Sequence, residues 1–394
     1  MHHVTQTIHP GTVYAEKATR NRENPIALDN LPAILTLDAK SRASKELHSR
    51  GEIEMKKVMT GMLCFALILG TALTAMVRDP ASAAGKVKIA LIIESTVDDK
   101  GWCQAMHDGI IKAQKELPGR IEYSCSEKMK PVDAGSAVLQ YVSQGYRIII
   151  GHGAQYKNLM LEMAEEYPEV TFAFGTSAEI GPENVFTYMP QSEETGYLSG
   201  LIAGMTTKKN IVGLVGPVDG GDAARYNRGF VLGVQAVNPK AKIMVAHTGS
   251  FADFVKAGEV AETQIKAGAD ILTGSSQQAL GALRTVADHR DSPVWWVGQD
   301  IAQIHITEGY KCIAASSYNY GAVIVSLIAK LDAGVRGGEC IPLNFSNGGF
   351  VFAFNEALKD MYTGTVEQKV NETLEKFRAA PDTLDWSAVD YSKL

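Results

Sequence analysis

The sequence lacks the short motifs that mark several large enzyme classes. It contains no G-x-S-x-G nucleophile elbow, no H-E-x-x-H zinc motif and no pair of cysteines at metal-binding spacing. The glycine-rich stretch "GLVGPVDGG" fits neither the dinucleotide-binding pattern G-x-G-x-x-G nor a P-loop. These absences favour a protein that is not an enzyme and that uses no cofactor and no metal.

Positive charge is also scarce. The chain has 38 lysines and arginines against 44 aspartates and glutamates, a formal net charge of −6. A nucleic-acid-binding protein usually carries a basic footprint, so we expect no nucleic-acid partner.

No apolar run reaches the ~20 residues that a membrane-spanning helix needs. The stretch "GMLCFALILGTALTA" is preceded by the positive "MKK" and followed by the small residues "ASA". This order is typical of a cleaved signal peptide, which we place at residues 55–83. A membrane anchor or a buried helix is the alternative. Residues 1–54 are then either an over-called start ahead of Met55 or a disordered extension.

Cysteine is scarce as well, with 5 in 394 residues, four of them after the signal segment. In an exported chain an even number suggests disulfides, and four cysteines allow three pairings. Cys103 follows the first predicted strand and Cys125 ends the second, and adjacent parallel strands bring such ends together. Cys312 and Cys340 flank a later helix. We therefore predict Cys103–Cys125 and Cys312–Cys340 bridges.

What the sequence does contain is a regular alternation of apolar strands and helices. "KVKIALII", "IEYSC", "RIIIG" and "VTFAFG" are rich in β-branched and aromatic residues, with helical patterns between them. Apolar strands joined by helices indicate a parallel sheet covered by helices. The alternation restarts at "NIVGLVG", which predicts an α/β fold of two Rossmann-like lobes joined by a hinge. We place lobe 1 at 84–190 plus about 318–341, and lobe 2 at 191–317 plus about 342–394.

Polar and aromatic residues follow several of these strands. Ligands of open α/β sheets bind beyond the carboxyl ends of the strands, so these residues predict one binding cleft between the lobes. The candidates are Asp98, Trp102, His152, Tyr226, Asp300, Tyr318, Asn319 and Tyr320.

Each candidate also has a structural interpretation. Trp102 is either a packing residue or a flat surface on which a planar ligand stacks, a contact worth about 1–3 kcal/mol. Asp98 and Asp300 are either helix caps or ligand contacts, and Asp300 could accept hydrogen bonds from a pair of hydroxyls. Of Tyr318 and Tyr320, we expect one to line the cleft and the other to pack in the hinge.

Several motifs in order resemble the basic membrane protein family of solute-binding proteins. They are "DDKGW" with "HDGI", "ETGYLSGLIAG", "KKNIVGLVG", "GFVLGVQAVNP", "GSFADFVKAGEVA" and "IKAGADIL", and the resemblance covers roughly residues 86–354. It implies the fold of type I periplasmic binding proteins. It also implies a purine nucleoside or nucleobase as ligand, and delivery of that ligand to an ABC permease in the membrane.

The resemblance carries over to particular positions. In many members an aromatic of the first turn stacks on the base, and the matching residues here are Trp102 and the following Cys103, which we include among the ligand contacts. Where related members carry W-D-W-G, this chain has "YNYG", so an acid is replaced by Asn319. Tyr226 lies on the first helix of the facing lobe and is a candidate for a second stacking wall.

The sequence therefore predicts an extracytoplasmic solute-binding protein of an ABC importer, acting as a monomer on a purine-like ligand without changing it. The alternative is a receptor that presents a small aromatic molecule to a membrane signalling protein. Gene neighbourhood would separate the two, because an importer needs a permease and an ATPase.

Overall fold

The structure, a computed structural model, describes residues 85–99, 101–306 and 311–394. The extension and signal peptide predicted at residues 1–83 lie outside this part of the chain. From residue 85 onward strands and helices alternate and build two sheets, so the predicted α/β class with parallel sheets is confirmed.

Sheet A is formed mainly by the first half of the described chain. Its strands run parallel in the order β11-β5-β4-β3-β1-β2. They are β1 (Val87–Ile92), β2 (Ile121–Ser126), β3 (Ile148–His152), β4 (Thr171–Gly175), β5 (Val185–Pro190) and β11 (Glu339–Leu343). The central β3 and β4 are buried at every position, because helices cover both faces of the sheet. These helices are α1 (Trp102–Glu116), α2 (Pro131–Ser143), α3 (Lys157–Glu166) and α9 (Gly321–Asp332).

Sheet B repeats this design in the order β12-β10-β9-β8-β6-β7, and only β12 runs antiparallel to its neighbour. Its strands are β6 (Ile211–Gly216), β7 (Lys242–His247), β8 (Ile271–Gly274), β9 (Trp295–Gly298), β10 (Cys312–Tyr318) and β12 (Phe350–Phe354). The helices of this half are α4 (Glu193–Thr206), α5 (Gly221–Val237), α6 (Phe254–Lys266), α7 (Ala279–Asp288), α8 (Ala302–Ile306) and α10 (Thr365–Ala379).

The chain crosses between the sheets after β5, after β10 and after β11. The crossings are hydrogen-bonded to one another: the Gln191 amide donates to the Leu343 carbonyl at 2.8 Å, and the Asn319 amide donates to the Gly349 carbonyl at 2.7 Å. Three chain crossings, joined to one another by these hydrogen bonds, are the arrangement expected of a hinge.

The motifs "ETGYLSGLIAG" and "GFVLGVQ" form the closely packed pair α4 and α5. A Cβ atom added to Gly200 would lie 2.1 Å from the Phe230 carbonyl oxygen, and one added to Gly233 would lie 2.2 Å from the Tyr197 carbonyl oxygen. Only glycine allows the two backbones to approach this closely. The spacing of the glycines therefore reflects helix packing.

The structure also differs from the sequence prediction in two places. The apolar pattern predicts a helix over 318–333, but β10 continues through Tyr318 and α9 starts only at Gly321. The strand β11 was not predicted, because "ECIPL" is short and contains a proline. The proline is tolerated because β11 is an edge strand of sheet A and pairs with a neighbour on one side only.

Candidate functional site

Aromatic side chains from the carboxyl ends of both sheets meet at one place. Trp102 begins α1, His152 ends β3 and Tyr318 ends β10. The rings of Trp102 and His152 stack with centroids 4.4 Å apart and planes 9° apart. Tyr318 lies 5.3 Å from the indole at an interplanar angle of 83°. The structure thus brings three of the predicted site residues together across the two sheets.

His152 supports the indole from one side. Its Nε2 lies 3.0 Å from the Trp102 carbonyl oxygen, which can only accept, so Nε2 carries the hydrogen and Nδ1 accepts from the Tyr188 hydroxyl at 2.7 Å. Burial lowers the pKa of His152 from 6.5 to about 3, so the ring is neutral at neutral pH. One face of Trp102 is therefore covered by His152, and the partly exposed indole also contacts Tyr318 and Tyr320, both at interplanar angles of 83°. A cavity of about 260 Å³ beside α1 is lined by neighbours of Trp102, such as Gly101 and Ala105, but not by Trp102 itself.

The two tyrosines of "YNYG" have different surroundings. Tyr320 is fully buried, lies 5.0 Å from the His152 ring, and its hydroxyl has no hydrogen-bond partner among the described residues. Tyr318 is only partly buried. Between them, Asn319 donates to the Gly348 carbonyl at 2.7 Å and accepts from Lys112 at 3.2 Å. The amide of Asn319 is thus engaged in the crossing between the sheets.

A chain of hydrogen bonds runs through the strand ends of sheet B. The Ser276 amide donates to Oε1 of Gln299 at 2.9 Å, and Nε2 of Gln299 donates to the Tyr318 hydroxyl at 2.9 Å. The Tyr318 hydroxyl donates in turn to Oδ2 of Asp222 at 2.7 Å. Asp222 lies in the first turn of α5. This relay places a carboxylate beside the aromatic cluster.

Asp300 both caps a helix and lines a cavity. Its Oδ1 accepts from the Ala302 amide at 2.8 Å and from the Ser317 hydroxyl at 3.3 Å. The cavity of about 260 Å³ lies between α1 and the ends of β9 and β10, and its walls include Asp108, Asp300 and Tyr318. Burial raises the pKa of Asp300 to about 6, and the negative charges of Asp99 and Asp108 add to the rise. Both interpretations of Asp300 therefore fit its position.

The two adjacent aspartates of "DDKGW", Asp98 and Asp99, have different hydrogen-bond partners. Asp99 caps α1, since its carboxylate accepts from the amides of Gly101 and Gln104 at 3.0 Å each. It also faces sheet B, with Nε2 of Gln277 3.4 Å from its Oδ2. Asp98 is exposed and accepts from the Thr96 hydroxyl at 2.7 Å. Asp98 is not among the residues that line the cavity.

The predicted disulfides are absent, because Cys103, Cys125, Cys312 and Cys340 are all free thiols. Cys312 lies in sheet B and Cys340 in sheet A, so the topology separates the second pair. For the first pair, burial raises the pKa of Cys103 to about 12 and that of Cys125 to about 11. Cys103, the second residue of α1, is buried in the core and is not among the residues that line the cavity.

The expectation for Tyr226 is also corrected. Its side chain is fully buried, and its hydroxyl bonds to Ser199 at 3.0 Å and to Thr273 at 2.7 Å. It packs between α5, α4 and sheet B and offers no open ring face. Asp222, four residues earlier in the first turn of α5, carries the side chain that bonds Tyr318, while the Tyr226 ring, further along the same helix, is enclosed by α4 and sheet B.

Sequence reasoning missed Asp222 and Gln299 and favoured a structural role for Asp108. Asp222 and Gln299 follow strands in "PVDGGD" and "WVGQD", where Tyr226 and Asp300 were chosen instead. Asp108 lies on the cavity-lining side of α1, four residues after Gln104. Spacing by helical turns was the available signal for it.

No group of three or more histidine, cysteine, aspartate or glutamate side chains within residues 85–99, 101–306 and 311–394 could hold a metal ion. Within those ranges, no helix is long and apolar enough to cross a membrane.

Comparison with known proteins identifies the family. The family model for PnrA-like ABC transporter substrate-binding proteins matches residues 86–383. The ABC transporter nucleoside-binding protein BmpA of Lactococcus lactis is 25% identical over 323 residues, which cover 75% of this chain and 90% of BmpA. A candidate ABC transporter glucose-binding protein of Haloferax volcanii is 28% identical over 297 residues, 73% of each chain.

A solved structure agrees with these matches. The solute-binding protein of an ABC transporter system from Conexibacter woesei superimposes with a TM-score of 0.63 at 22% identity, covering 74% of this chain and 96% of that one. This likeness confirms the type I periplasmic binding fold with its two lobes. These relatives are solute-binding proteins rather than enzymes. The chain belongs to the Bmp family of PnrA-like ABC transporter substrate-binding proteins.

Proposed function

We propose that this protein binds a purine nucleoside or nucleobase in the cleft between its two lobes and delivers it to an ABC permease. The observation that carries the proposal is the indole of Trp102, with one face against the neutral His152 ring and Tyr318 at its edge. A planar heterocycle on the opposite face would gain about 1–3 kcal/mol from stacking. A sugar has no flat aromatic face and would gain less there.

The polar groups nearby suit the rest of such a ligand. Asp222 and Asp300 are buried or half-buried acceptors, and a ribose diol or a ring amino group supplies the donors that they need. Two carboxylates also disfavour a phosphate through like-charge repulsion, which favours nucleosides over nucleotides. The name of the Lactococcus lactis relative, a nucleoside-binding protein, supports this choice.

A hinge between the lobes would allow ligand binding to change the conformation of the protein. We propose lobe 1 as residues 84–190 with about 318–341, and lobe 2 as 191–317 with about 342–394, in keeping with the division of the sheets. A ligand held by Trp102 and Asp222 at once would touch both lobes. It would therefore shift the open–closed equilibrium toward the closed form, which a permease could recognise. We further propose an exported monomer whose signal peptide spans residues 55–83.

The test is to identify the ligand directly. Small molecules released from purified, denatured protein are identified by mass spectrometry, and wild type is then titrated with adenosine, guanosine, hypoxanthine, riboflavin and glucose. We expect a purine in the released material and calorimetric binding of at least one purine. Binding of glucose or riboflavin alone would overturn the purine assignment.

A further inference from the structure

The relay through Gln299 and Tyr318 has only one hydrogen-bond direction. A backbone N–H can only donate, so the contact from Ser276 places Oε1 of Gln299 toward it and Nε2 toward Tyr318. The amide nitrogen of Gln299 can also only donate, so the Tyr318 oxygen accepts. The single hydrogen of the Tyr318 hydroxyl is then directed to Asp222. Every member of the relay is oriented, and Asp222 stands at its accepting end.

The carboxylate of Asp222 can accept one more hydrogen bond than the protein supplies to it. An ionised carboxylate accepts about four hydrogen bonds. Burial raises the pKa of Asp222, while hydrogen bonds from Tyr318 and from the backbone amides of Asp222 and Ala223 oppose the rise. One further donor would complete the set. Asp222 bonds the hydroxyl of Tyr318, whose ring lies 5.3 Å from Trp102, so the donor we expect to complete the set is on the edge of a ring stacked on the indole.

We infer that Asp222 is a specificity-determining residue, which selects purines that present an exocyclic amino group to the end of the Ser276–Gln299–Tyr318 relay. The inference rests on the proposed purine ligand. An amino group donates the fourth hydrogen bond to the carboxylate, whereas a ring without it leaves that acceptor position unfilled after its water has been displaced. Sites built around a hydrogen bond to the substrate reject analogues that lack the matching group more strongly than apolar pockets do.

Two ligand pairs that differ by one amino group measure this selectivity. They are adenine against purine, and guanine against hypoxanthine, titrated calorimetrically into wild type, Asp222→Asn and Tyr318→Phe. We expect wild type to prefer the amino member of at least one pair tenfold or more. Asp222→Asn, which offers a neutral amide, should reduce that ratio at least fivefold, and Tyr318→Phe should reduce it in the same direction.

A matched control is Asp253→Asn. Asp253 also stands at the start of a helix, where it accepts from the Lys256 amide at 2.9 Å, but it is exposed and lies outside the aromatic cluster. It should leave both ratios unchanged.

The outcomes separate two failures. Equal binding of both members of each pair by wild type overturns the inference and leaves the purine proposal standing. The inference is also overturned if Asp222→Asn loses affinity for all four bases by the same factor, because Asp222 would then have a structural role rather than a role in selectivity. If wild type binds none of the four bases, the same comparison is made with the nucleoside pairs, adenosine against purine riboside and guanosine against inosine. If none of these nucleosides binds either, the proposed function fails and the inference fails with it.

Discussion

The two sheets contribute different chemistry to the cleft. Sheet A supplies the neutral Trp102–His152 stack, whose polar atoms are bonded within the cluster, and its α1 also places the carboxylate of Asp108 in the cavity wall. Sheet B supplies an oriented set of polar groups that ends in carboxylates, Asp222 and Asp300. The difference indicates that the aromatic surface of sheet A contributes contact area to ligand binding, while the polar groups of sheet B select the ligand by hydrogen bonds. Changes on the sheet A side should alter stability and affinity, while changes on the sheet B side should alter selectivity.

The largest effect is expected on the stability of the sheet A side. His152→Ala should lower the free energy of unfolding by about 3 kcal/mol, because it opens a cavity under Trp102 and leaves the Tyr188 hydroxyl without its acceptor. Urea denaturation measures the change. The control is His289→Ala, which removes only a surface contact to Glu262 and should cost less than about 1 kcal/mol. Equal losses in both variants would show that the stack is not a structural support.

The next effect concerns affinity. Trp102→Ala should cost about 1–3 kcal/mol of binding, roughly ten- to a hundredfold in Kd, whereas Trp102→Phe should retain most of the affinity because a flat ring remains. Ligand titration and thermal unfolding are measured on the same two variants, with the ligand that co-purifies. If Trp102→Ala binds like wild type while its melting temperature falls steeply, Trp102 is a packing residue and the comparison between the sheets fails.

A pH dependence follows from the same histidine. The pKa of His152 is about 3 in the folded protein and 6.5 for a free side chain, so between these values the unfolded chain binds a proton that the folded chain does not. The contribution of His152 to the free energy of unfolding is therefore fully present above pH 6.5. Below that pH it falls by about 1.4 kcal/mol per pH unit, so that about 2 kcal/mol is lost at pH 5.

A matched variant isolates this effect from other titrating groups. Burial raises the pKa of Glu194 to about 7, and such a carboxyl favours the folded state at low pH, in the opposite direction. The stability of wild type minus that of His152→Gln cancels the carboxyl contribution. This difference should decrease as the pH falls from 6.5 to 5, and a constant difference would contradict a buried neutral His152.

The smallest effect is expected from reduction. All four cysteines of the described residues are free, on both sheets, so a reducing agent should change the melting temperature by less than about 1 °C. A fall of several degrees in the exported protein would indicate a disulfide, and peptide mapping would locate it. In that case the first pair, Cys103 and Cys125, would be the one to examine, because its members lie on neighbouring elements of sheet A.

Most elements could be predicted from the sequence because their signals are local. The apolar patterns predict helices at 101–116, 131–144, 192–206 and 365–379, and α1, α2, α4 and α10 match these bounds to within one residue at each end. In α1, α2 and α10 the signal is a periodic apolar face, whereas α4 is buried on nearly all sides. The short helix α8 and the edge strand β11 were missed, since five residues contain too few repeats of any period.

The contacts of the site were less predictable. The sequence indicated that Trp102, His152, Asp300 and Tyr318 stand at strand ends, because that requires only the order of strands and turns. It could not show that Tyr226 is buried while Asp222 reaches the cleft. That outcome depends on the rotation of α5 against α4, which the close contact at Gly200 sets.

By itself, the sequence determined the alternation of strands and helices, the two parallel sheets and the position of the cleft at their carboxyl ends. These features depend on residues a few positions apart, so they are written in local patterns of apolar and turn residues. Only the tertiary structure decided that His152 covers one face of Trp102 and that Tyr318 donates to Asp222, 96 positions away. Such contacts join distant segments whose orientation is set by packing in three dimensions, and no local pattern records it.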